Sequence, residues 1–459
     1  MKYTGDKMFY RKTARIAVPI IIQNGFTFLV NFVDNIMVGQ LGTEAMSGVA
    51  IVNQLLFVFN ICILGIIAGA SIFGAQFYGS KDCEGLRETF RFRFFACVLM
   101  AVMALFLFRE FGERLISLFL HSTDHEAVWT TLVFGKEYLA VLLLSLIPSA
   151  ITQAYASTQK DMGETILPMC SGVAAVLLNT ALNYVLIFGR FGCPALGVKG
   201  AAVATVAARF AECIMIVAVS HFHSGKYWFT EGAFRSLHIS SDLMKKILMK
   251  GSPLMINEMF WSLGTVMMVQ CYSVRGIHVV AGINIATTIY NVFSIIYLAI
   301  GSSIAIIIGQ LLGAGKMEEA RETDRKLIFL ALASSVVSGL IIIVSAPFYP
   351  KIYNTTEEVR RMAVQFMYIL GICAPMAAYM HAAFFTIRAG GSTWITMLFD
   401  SSGLWLVSIP LAYMLTRYTD MPIVLIYGIC QAADLLKCIF GFILVKKGIW
   451  LNNIVAVKR

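Results

Sequence analysis

Residues 46–73 read MSGVAIVNQLLFVFNICILGIIAGASIF and contain no Asp, Glu, Lys or Arg. About twenty consecutive apolar residues are enough for a helix to cross the roughly 30 Å hydrocarbon core of a bilayer. A stretch this long and this apolar predicts a membrane-spanning helix rather than a helix in the core of a soluble domain. The fold class then depends on how often the chain repeats such a stretch.

Twelve stretches of the chain are long enough and predominantly apolar, as a membrane-spanning helix requires. The 459-residue chain is 58% hydrophobic and 14% charged, with a mean hydropathy of +0.77. A soluble protein needs a polar exterior that this composition does not supply, whereas lipid as the solvent removes that need. We therefore predict an all-α membrane protein with twelve transmembrane helices, near residues 14–37, 46–73, 91–109, 131–157, 164–188, 196–220, 247–274, 281–310, 327–347, 361–387, 393–416 and 422–445.

The distribution of Lys and Arg predicts the orientation of these helices. When the N-terminus is placed inside, the inside segments carry more than twice as many Lys and Arg as the outside loops. Cytoplasmic loops are enriched in these two residues. We therefore expect a multi-pass protein of the plasma (inner cell) membrane with both termini in the cytoplasm. The net charge of +10 is then mainly a topology signal, and we expect no nucleic-acid partner.

The two halves of the chain resemble each other. At one constant offset Pro19 falls on Pro253, and further pairs also align: Gly42 with Gly276, Gln76 with Gln310, Gly79 with Gly313, and Arg91 with Arg325. Internal repeats are typical of transporters. Six helices per repeat predict two six-helix lobes, 1–220 and 247–459, related by a pseudo-twofold axis along the membrane normal. Residues 221–246 are predicted to be the cytoplasmic linker between the lobes.

Enzyme and nucleotide motifs do not accompany this architecture. The sequence GAGK at residues 313–316 is followed by Met317, whereas a phosphate-binding loop has Ser or Thr there. We therefore predict a secondary transporter and not an enzyme, with no cofactor, powered by an ion gradient and acting as a monomer. A channel is the weaker alternative, because channels usually build a pore from an oligomeric ring.

Polar residues within the spans are the candidate site residues. Asp34 in the first span is a carboxylate that can bind a proton or Na⁺, unless it already lies in water at the helix end. Asn179 and Asn183 in the fifth span share one helix face, and amide oxygens are good ligands for hard cations. Thr205 in the sixth span can add a hydroxyl group. For the two Asn residues, hydrogen bonding between helices is an equally good explanation.

The second half holds further candidates. Glu258 in the seventh span has Trp261 one turn away, and an acid beside an aromatic ring can attract an organic cation or carry a proton. Asp400 in the eleventh span has no obvious local partner, and its role stays open. The remaining charged residues are interpreted as structural, because two pairs have the spacing of neutralising partners and the histidine stands alone: Arg209 with Glu212, Asp434 with Lys437, and His381.

Five motifs carry a resemblance to a known family. They are VDNIMVGQLG at 33–42, AQFYGSK at 75–81, GAAVAT at 200–205, the stretch 251–264 and GQLLGAG at 309–315. In this order and repetition they resemble the multidrug and toxic compound extrusion (MATE) family over nearly the whole chain. The resemblance implies export of cationic or amphipathic drugs and toxic metabolites in exchange for H⁺ or Na⁺ by alternating access. It implies small organic cations and the lipid bilayer as partners.

The resemblance also implies an ion site in the N-terminal lobe. In the family, an Asp of the first span lies with polar residues of the fifth and sixth spans, which here are Asp34, Asn179, Asn183 and Thr205. Some members have a second Asp where this chain has Asn183, which leaves both proton and Na⁺ open as coupling ions. The alternative function is a lipid-linked glycan flippase of a related two-lobed fold, for which extra spans or a cationic cavity would be expected.

Overall fold

A computed structural model describes residues 4–120 and 125–456, and its described part is predominantly helical. The helices are numbered in chain order: α1 Lys7–Gly39, α2 Thr43–Ser80, α3 Cys83–Ser117, α4 His125–Leu142, α5 Leu146–Asp161, α6 Ile166–Phe188, α7 Val198–Phe222, α8 Ser241–Ser273, α9 Ile277–Gly313, α10 Met317–Ser345, α11 Glu357–Ala389, α12 Thr393–Gly403, α13 Ile409–Tyr418 and α14 Ile423–Lys447. A 3₁₀ turn, Leu143–Ser145, joins α4 to α5, and a π-helical turn, Leu404–Ser408, joins α12 to α13.

Eleven helices among the described residues are long and apolar enough to cross a membrane, counting α4–α5 and α12–α13 as one span each. The predicted seventh span forms α8, which is long enough at 33 residues but is not among the eleven. Its central residues include Pro253, Asn257 and Glu258, which lower its hydropathy. The all-helical membrane fold is therefore confirmed, and α8 is the predicted span that falls short of the others in hydropathy.

The chain divides into two compact units. The N-terminal unit comprises Ile22–Gly74 and Cys83–Leu248, and the C-terminal unit comprises Met249–Arg459 together with Met1–Ile21 and Ala75–Asp82. Helices α1 and α2 therefore each contribute residues to both units. The predicted lobes are continuous stretches of the chain, 1–220 and 247–459, and they stay a prediction. The compact units differ from them, because the start of α1 and the end of α2 belong to the C-terminal unit.

Apolar residues of α1 to α7 form the core of the N-terminal unit, with Val52, Cys97, Ile116 and Leu142 all at most 1% exposed. A charged pair lies within the same unit. Arg93 Nη2 on α3 lies 2.6 Å from Asp161 Oδ2 at the end of α5, and the two side chains are 0% and 5% exposed. The hydroxyl groups of Ser157 and Thr158 accept from the other guanidinium nitrogen at 3.0 and 2.7 Å. Since charges removed from water need partners, this pair holds α3 and α5 at one register.

The stretch predicted as an inter-lobe linker is packed against the N-terminal unit. Phe229 is fully buried and its ring contacts Phe90 edge-on at 4.9 Å. Arg91 Nε donates to the carbonyl oxygen of Ala233 at 2.6 Å. The Lys226 ammonium lies 2.7 Å from the Glu164 carboxylate, and this hydrogen bond raises the pKa of Lys226 above its usual value. The connection between α7 and α8 is therefore an ordered part of the N-terminal unit.

The repeat seen in the sequence recurs in the backbone. Gly42 before α2 and Gly276 before α9 occupy the same repeat position and have φ angles of +112° and +119°, which favour glycine. Within the C-terminal unit, the ends of α2 and α9 cross in contact. A Cβ atom at Gly79 would overlap the Gln310 carbonyl group, and one at Gly313 would overlap that of Gln76. The repeat therefore places two glycines where two backbones meet.

The segment 450–455 follows α14 and covers this crossing. Gln76 Nε2 donates to the carbonyl oxygens of Ala389 and Asn452 at 3.1 and 3.2 Å, and Gln76 Oε1 accepts from the Ile454 N–H at 2.9 Å. Asn453 Nδ2 donates to the Gly313 carbonyl at 3.2 Å. The Gln76 side chain is fully buried, and its hydrogen-bond partners come from parts of the chain that are distant in sequence.

Gly313→Val is expected to lower the midpoint of thermal unfolding in detergent. The added side chain meets backbone of α2 rather than a movable side chain, and overpacking of this kind costs about 1–3 kcal/mol. Ala314→Val, at the exposed neighbouring position, is the matched control. Equal midpoints for the two variants would contradict the close crossing.

Candidate functional site

Asp34 lies near the end of α1, in the part of that helix that belongs to the N-terminal unit. Its side chain is partly buried, and its Oδ1 accepts a hydrogen bond from Asn183 Nδ2 on α6 at 2.8 Å. Asn183 is only 2% exposed. The carboxylate therefore points into the unit rather than lying in water at the helix end.

Asn179 lies one turn before Asn183 on the same face of α6, and one terminal atom of its amide is 2.8 Å from Asp34 Oδ2. If that atom is the amide nitrogen, it donates to an ionised Asp34, and the amide oxygen accepts from the Thr205 hydroxyl group at 3.2 Å. If it is the oxygen, two acceptors face each other, unless Asp34 carries a proton and donates it. In that orientation the amide nitrogen donates to Thr205 Oγ1 at 3.2 Å. The same heavy-atom geometry thus suits both protonation states of Asp34.

Thr205 on α7 completes the set, and when its hydroxyl group accepts from Asn179 Nδ2, its own proton is donated to the carbonyl oxygen of Ala201 at 3.0 Å. The structure therefore brings together all four residues named for the ion site. Tyr138 on α4 is a member that the sequence did not identify. Its side chain is 6% exposed, and it interacts with Thr205 and with the charge of Asp34. Its sequence signal was weak, because a Tyr within an apolar helix is common.

One oxygen of this group has no partner among the described residues. Asn183 Oδ1 is buried and accepts no hydrogen bond, while the nitrogen of the same amide donates to Asp34. A buried acceptor without a donor costs free energy, and it is therefore a good position for a proton carrier, a water molecule or a cation. Together the four side chains offer one carboxylate and several neutral oxygens, which is a chemistry suited to small cations.

The candidates of the second half lie in the C-terminal unit. Asp400 on α12 accepts from Asn257 Nδ2 on α8 at 2.9 Å, and Asn257 Oδ1 accepts from the Ser401 hydroxyl group at 2.6 Å. Glu258 is partly buried next to Asn257, and Trp261 is 46% exposed. The partner of Asp400 is thus Asn257, which the sequence analysis did not single out although it is a polar residue in mid-span.

The two predicted charge pairs are confirmed as contacts. Arg209 Nη1 lies 2.8 Å from Glu212 Oε2 in α7, and Lys437 Nζ lies 3.3 Å from Asp434 Oδ1 in α14. Each pair is three residues apart on one helix face, which is the spacing that brings such side chains together.

Comparison with known proteins identifies the group to which these features correspond. A family model described as MatE matches residues 19–185 and 253–414, one stretch in each half of the chain. A probable multidrug resistance protein NorM of Thermotoga maritima is 25% identical over 414 residues, covering 90% of this chain and 86% of the relative. A probable multidrug resistance protein YoeA of Bacillus subtilis is 24% identical over 422 residues, covering 90% and 88%.

Solved structures with the same fold include one described as the outward-facing conformation of a multidrug resistance MATE family transporter of the MOP superfamily. It has a TM-score of 0.85 and 18% identity, over 98% of this chain and 97% of the other. A MOP superfamily transporter from Pyrococcus furiosus gives a TM-score of 0.81 at 18% identity, over 98% and 97%. At these identities the likeness concerns the fold alone.

Proposed function

Because the chain belongs to the MatE family and is a multi-pass membrane transporter rather than an enzyme, we propose that it exports cationic or amphipathic compounds by antiport against protons that bind at Asp34. The observation that carries this proposal is the convergence of Asp34, Asn179, Asn183 and Thr205 from three helices of one unit. Relatives named as multidrug resistance proteins support toxic compounds as the exported class.

A proton suits this site better than Na⁺. A proton on Asp34 Oδ2 makes a hydrogen bond to Asn179 with no movement of heavy atoms, because the two atoms are already 2.8 Å apart. Sodium would need several oxygens turned toward it, while the carboxylate is bonded to Asn183 Nδ2. By the family resemblance, Asn183 occupies a position where some members have a second Asp. Among the four site residues, Asp34 alone can therefore supply a negative charge to balance a bound cation.

Protonation changes how strongly α1 is held to α6. An ionised Asp34 accepts charge-assisted hydrogen bonds from both amides, and such bonds are roughly twice as strong as neutral ones. A protonated Asp34 keeps a neutral bond to Asn183 and donates to Asn179. Since α1 contributes residues to both compact units, a change in its packing can bias the transporter between its two access states.

The substrate class follows from charge. The site and the second unit place the carboxylates of Asp34, Glu258 and Asp400 within the spans, and membrane-embedded acids favour organic cations over the phosphate of a lipid-linked glycan. Export of organic cations is therefore favoured over the flippase alternative. We further propose that the protein acts as a monomer in the plasma membrane with both termini in the cytoplasm.

The test is transport of a fluorescent lipophilic cation in proteoliposomes. A proton gradient is imposed at equal Na⁺, and then a Na⁺ gradient at equal pH, with protein-free liposomes as the baseline. Dye movement with the proton gradient alone is expected. Movement with the Na⁺ gradient alone would reject the proton as the coupling ion. Movement with neither gradient would reject the export of organic cations.

A further inference from the structure

After α14 the chain continues as a short strap that lies against other helices of the C-terminal unit. Residues 449–455 read IWLNNIV and contain no ionisable side chain. From Leu451 onward they are not helical, so helical hydrogen bonds do not hold them in place. We call residues 449–455 the C-terminal strap, with 449–450 as its root and 451–455 as its tip. The position of the strap therefore depends on its contacts with the rest of the fold.

The root of the strap is tightly packed. Trp450 is 1% exposed, and its Nε1 donates to the Val445 carbonyl oxygen at 3.1 Å. A Cβ atom at Gly390, directly after α11, would overlap the Trp450 carbonyl group. The Ser392 hydroxyl group, directly before α12, donates to the Ile449 carbonyl oxygen at 3.1 Å. The root is thus fixed to α14 and to the junction between α11 and α12.

The tip is held more lightly, by hydrogen bonds to the crossing of α2 and α9. Gln76 Nε2 donates to the Asn452 carbonyl oxygen at 3.2 Å, and Gln76 Oε1 accepts from the Ile454 N–H at 2.9 Å. Asn453 Nδ2 donates to the Gly313 carbonyl oxygen at 3.2 Å. Asn452 is exposed, and Asn453 and Ile454 are only partly buried. Because one hydrogen bond changes an equilibrium by only about two- to tenfold, the tip can detach while the root stays packed.

The tip acts on the part of α2 that belongs to the C-terminal unit. Helix α2 leaves the N-terminal unit at Gly74, and its residues from Ala75 onward belong to the C-terminal unit. At the crossing, Cβ atoms at Gly309 and Gly79 would collide with Ala75 and with the Gln310 backbone. Such contacts bring backbones together but bury little side-chain area, so their apolar stabilisation is small. The hydrogen bonds of the tip therefore supply part of what holds the end of α2 on α9.

We propose that the tip of the C-terminal strap is a latch, which must release Gln76 and Gly313 before the crossing of α2 and α9 can open. Since α2 contributes residues to both compact units, an open crossing frees its end to move. The latch thereby sets how often the transporter leaves the state in which the crossing is closed. The strap has no ionisable group, and the inference does not rest on the proposed substrate or coupling ion.

The experiment measures how often the crossing opens, from the reaction of a thiol placed in it. Ala75→Cys, in the full-length protein in nanodiscs, is treated with N-ethylmaleimide, and mass spectrometry follows the alkylation of each cysteine. Ala75 is 3% exposed, so a thiol there reacts when the crossing opens. Native Cys97, 0% exposed in the core of the N-terminal unit, reports unfolding, and exposed Cys83 reports the activity of the reagent. The introduced thiol is expected to react about tenfold or more faster than Cys97, because local opening needs less free energy than unfolding.

A chain that ends at Trp450 keeps the root of the strap and lacks the tip. In this variant the introduced thiol is expected to react about tenfold or more faster than in the full-length chain, because several hydrogen bonds to the crossing are lost together. The rate of Cys97 is expected to stay the same. That difference separates an open crossing from a protein that is less stable as a whole.

Two neighbouring asparagines provide a matched pair of substitutions. Asn453→Ala removes the hydrogen bond to Gly313 and is expected to raise the rate of the introduced thiol about two- to tenfold, the range that one hydrogen bond corresponds to. Asn452→Ala is the control, because the Asn452 side chain donates to the Ile449 carbonyl within the strap. The Asn452 carbonyl group that Gln76 uses is kept, and the wild-type rate is expected.

The latch is rejected if the introduced thiol reacts no faster in the chain that ends at Trp450. It is also rejected if Cys97 accelerates equally, or if Asn452→Ala and Asn453→Ala have the same effect. If the shortened chain does not fold, the two asparagine variants decide the question. If Ala75→Cys does not fold, Leu311→Cys replaces it, at a 7% exposed position of α9 in the apolar cluster of Trp450. The measurement needs neither a substrate nor a gradient, so its failure is distinguishable from failure of the antiport proposal.

Discussion

Asp34→Asn is expected to reduce dye transport under a proton gradient to the rate of protein-free liposomes. The amide of Asn is nearly the same size as the carboxyl group and can still accept from Asn183, so the fold of the N-terminal unit is kept. It cannot gain or lose a proton, and the exchange between the two hydrogen-bonding arrangements with Asn179 is lost. The initial rate of dye movement in proteoliposomes measures this effect.

Asp420→Asn is the matched control for that variant, because Asp420 is an exposed acid between α13 and α14. It is expected to transport dye at the wild-type rate. Thermal unfolding of both variants in detergent separates a loss of coupling from a loss of folded protein. If Asp34→Asn pumps as fast as the wild type, Asp34 is not the coupling residue, and Glu258 and Asp400 become the next residues to test.

Asp161→Asn is expected to cost about 3–5 kcal/mol of stability, because it leaves the Arg93 guanidinium buried without a counter-charge. The Arg93 side chain is 0% exposed, and the hydroxyl groups of Ser157 and Thr158 bond to it but carry no charge. Chemical or thermal unfolding in detergent micelles reports the loss. The double variant Arg93→Met with Asp161→Leu is expected to recover much of it, since an apolar pair leaves no charge unpaired.

The control for this prediction is an ion pair of the same length on the surface. Lys136 Nζ also lies 2.6 Å from Glu113 Oε2, but these side chains are 49% and 55% exposed. Glu113→Gln is expected to cost about 0–1 kcal/mol, because solvent screens exposed charges. Similar losses for Asp161→Asn and Glu113→Gln would show that burial does not set the strength of the Arg93–Asp161 pair.

The membrane fold could be predicted from the sequence because long apolar runs have few alternative explanations. The repeat was equally visible, since residues such as Gly42 and Gly276 align at one constant offset, and both have positive φ angles in the structure. Helix α8 shows where hydropathy weakens as a signal, because its centre carries Asn257 and Glu258. Asn257, one of the residues that lower the hydropathy of α8, is also the residue that bonds this helix to Asp400 and Ser401.

The candidate site was predicted only in part. Spacing on one helix placed Asn179 and Asn183 on a common face, and the family resemblance connected them with Asp34 and Thr205. Tyr138 could not be found in this way, because its approach to Thr205 depends on how α4 packs against α7. The π-helical turn at Leu404–Ser408 also has no sequence signature that local patterns would detect.

The contacts of Gln76 set an order of events during biosynthesis. Its hydrogen-bond partner Ile454 lies 378 residues later in the chain. At about 5–20 residues per second, the ribosome adds Ile454 roughly 19–76 s after Gln76. Throughout that time α2 is already made while the Gln76 side chain lacks the N–H that it accepts from in the finished protein. A chain that ends before residue 450 is therefore expected to leave the Gln76 side chain without its partners Asn452 and Ile454.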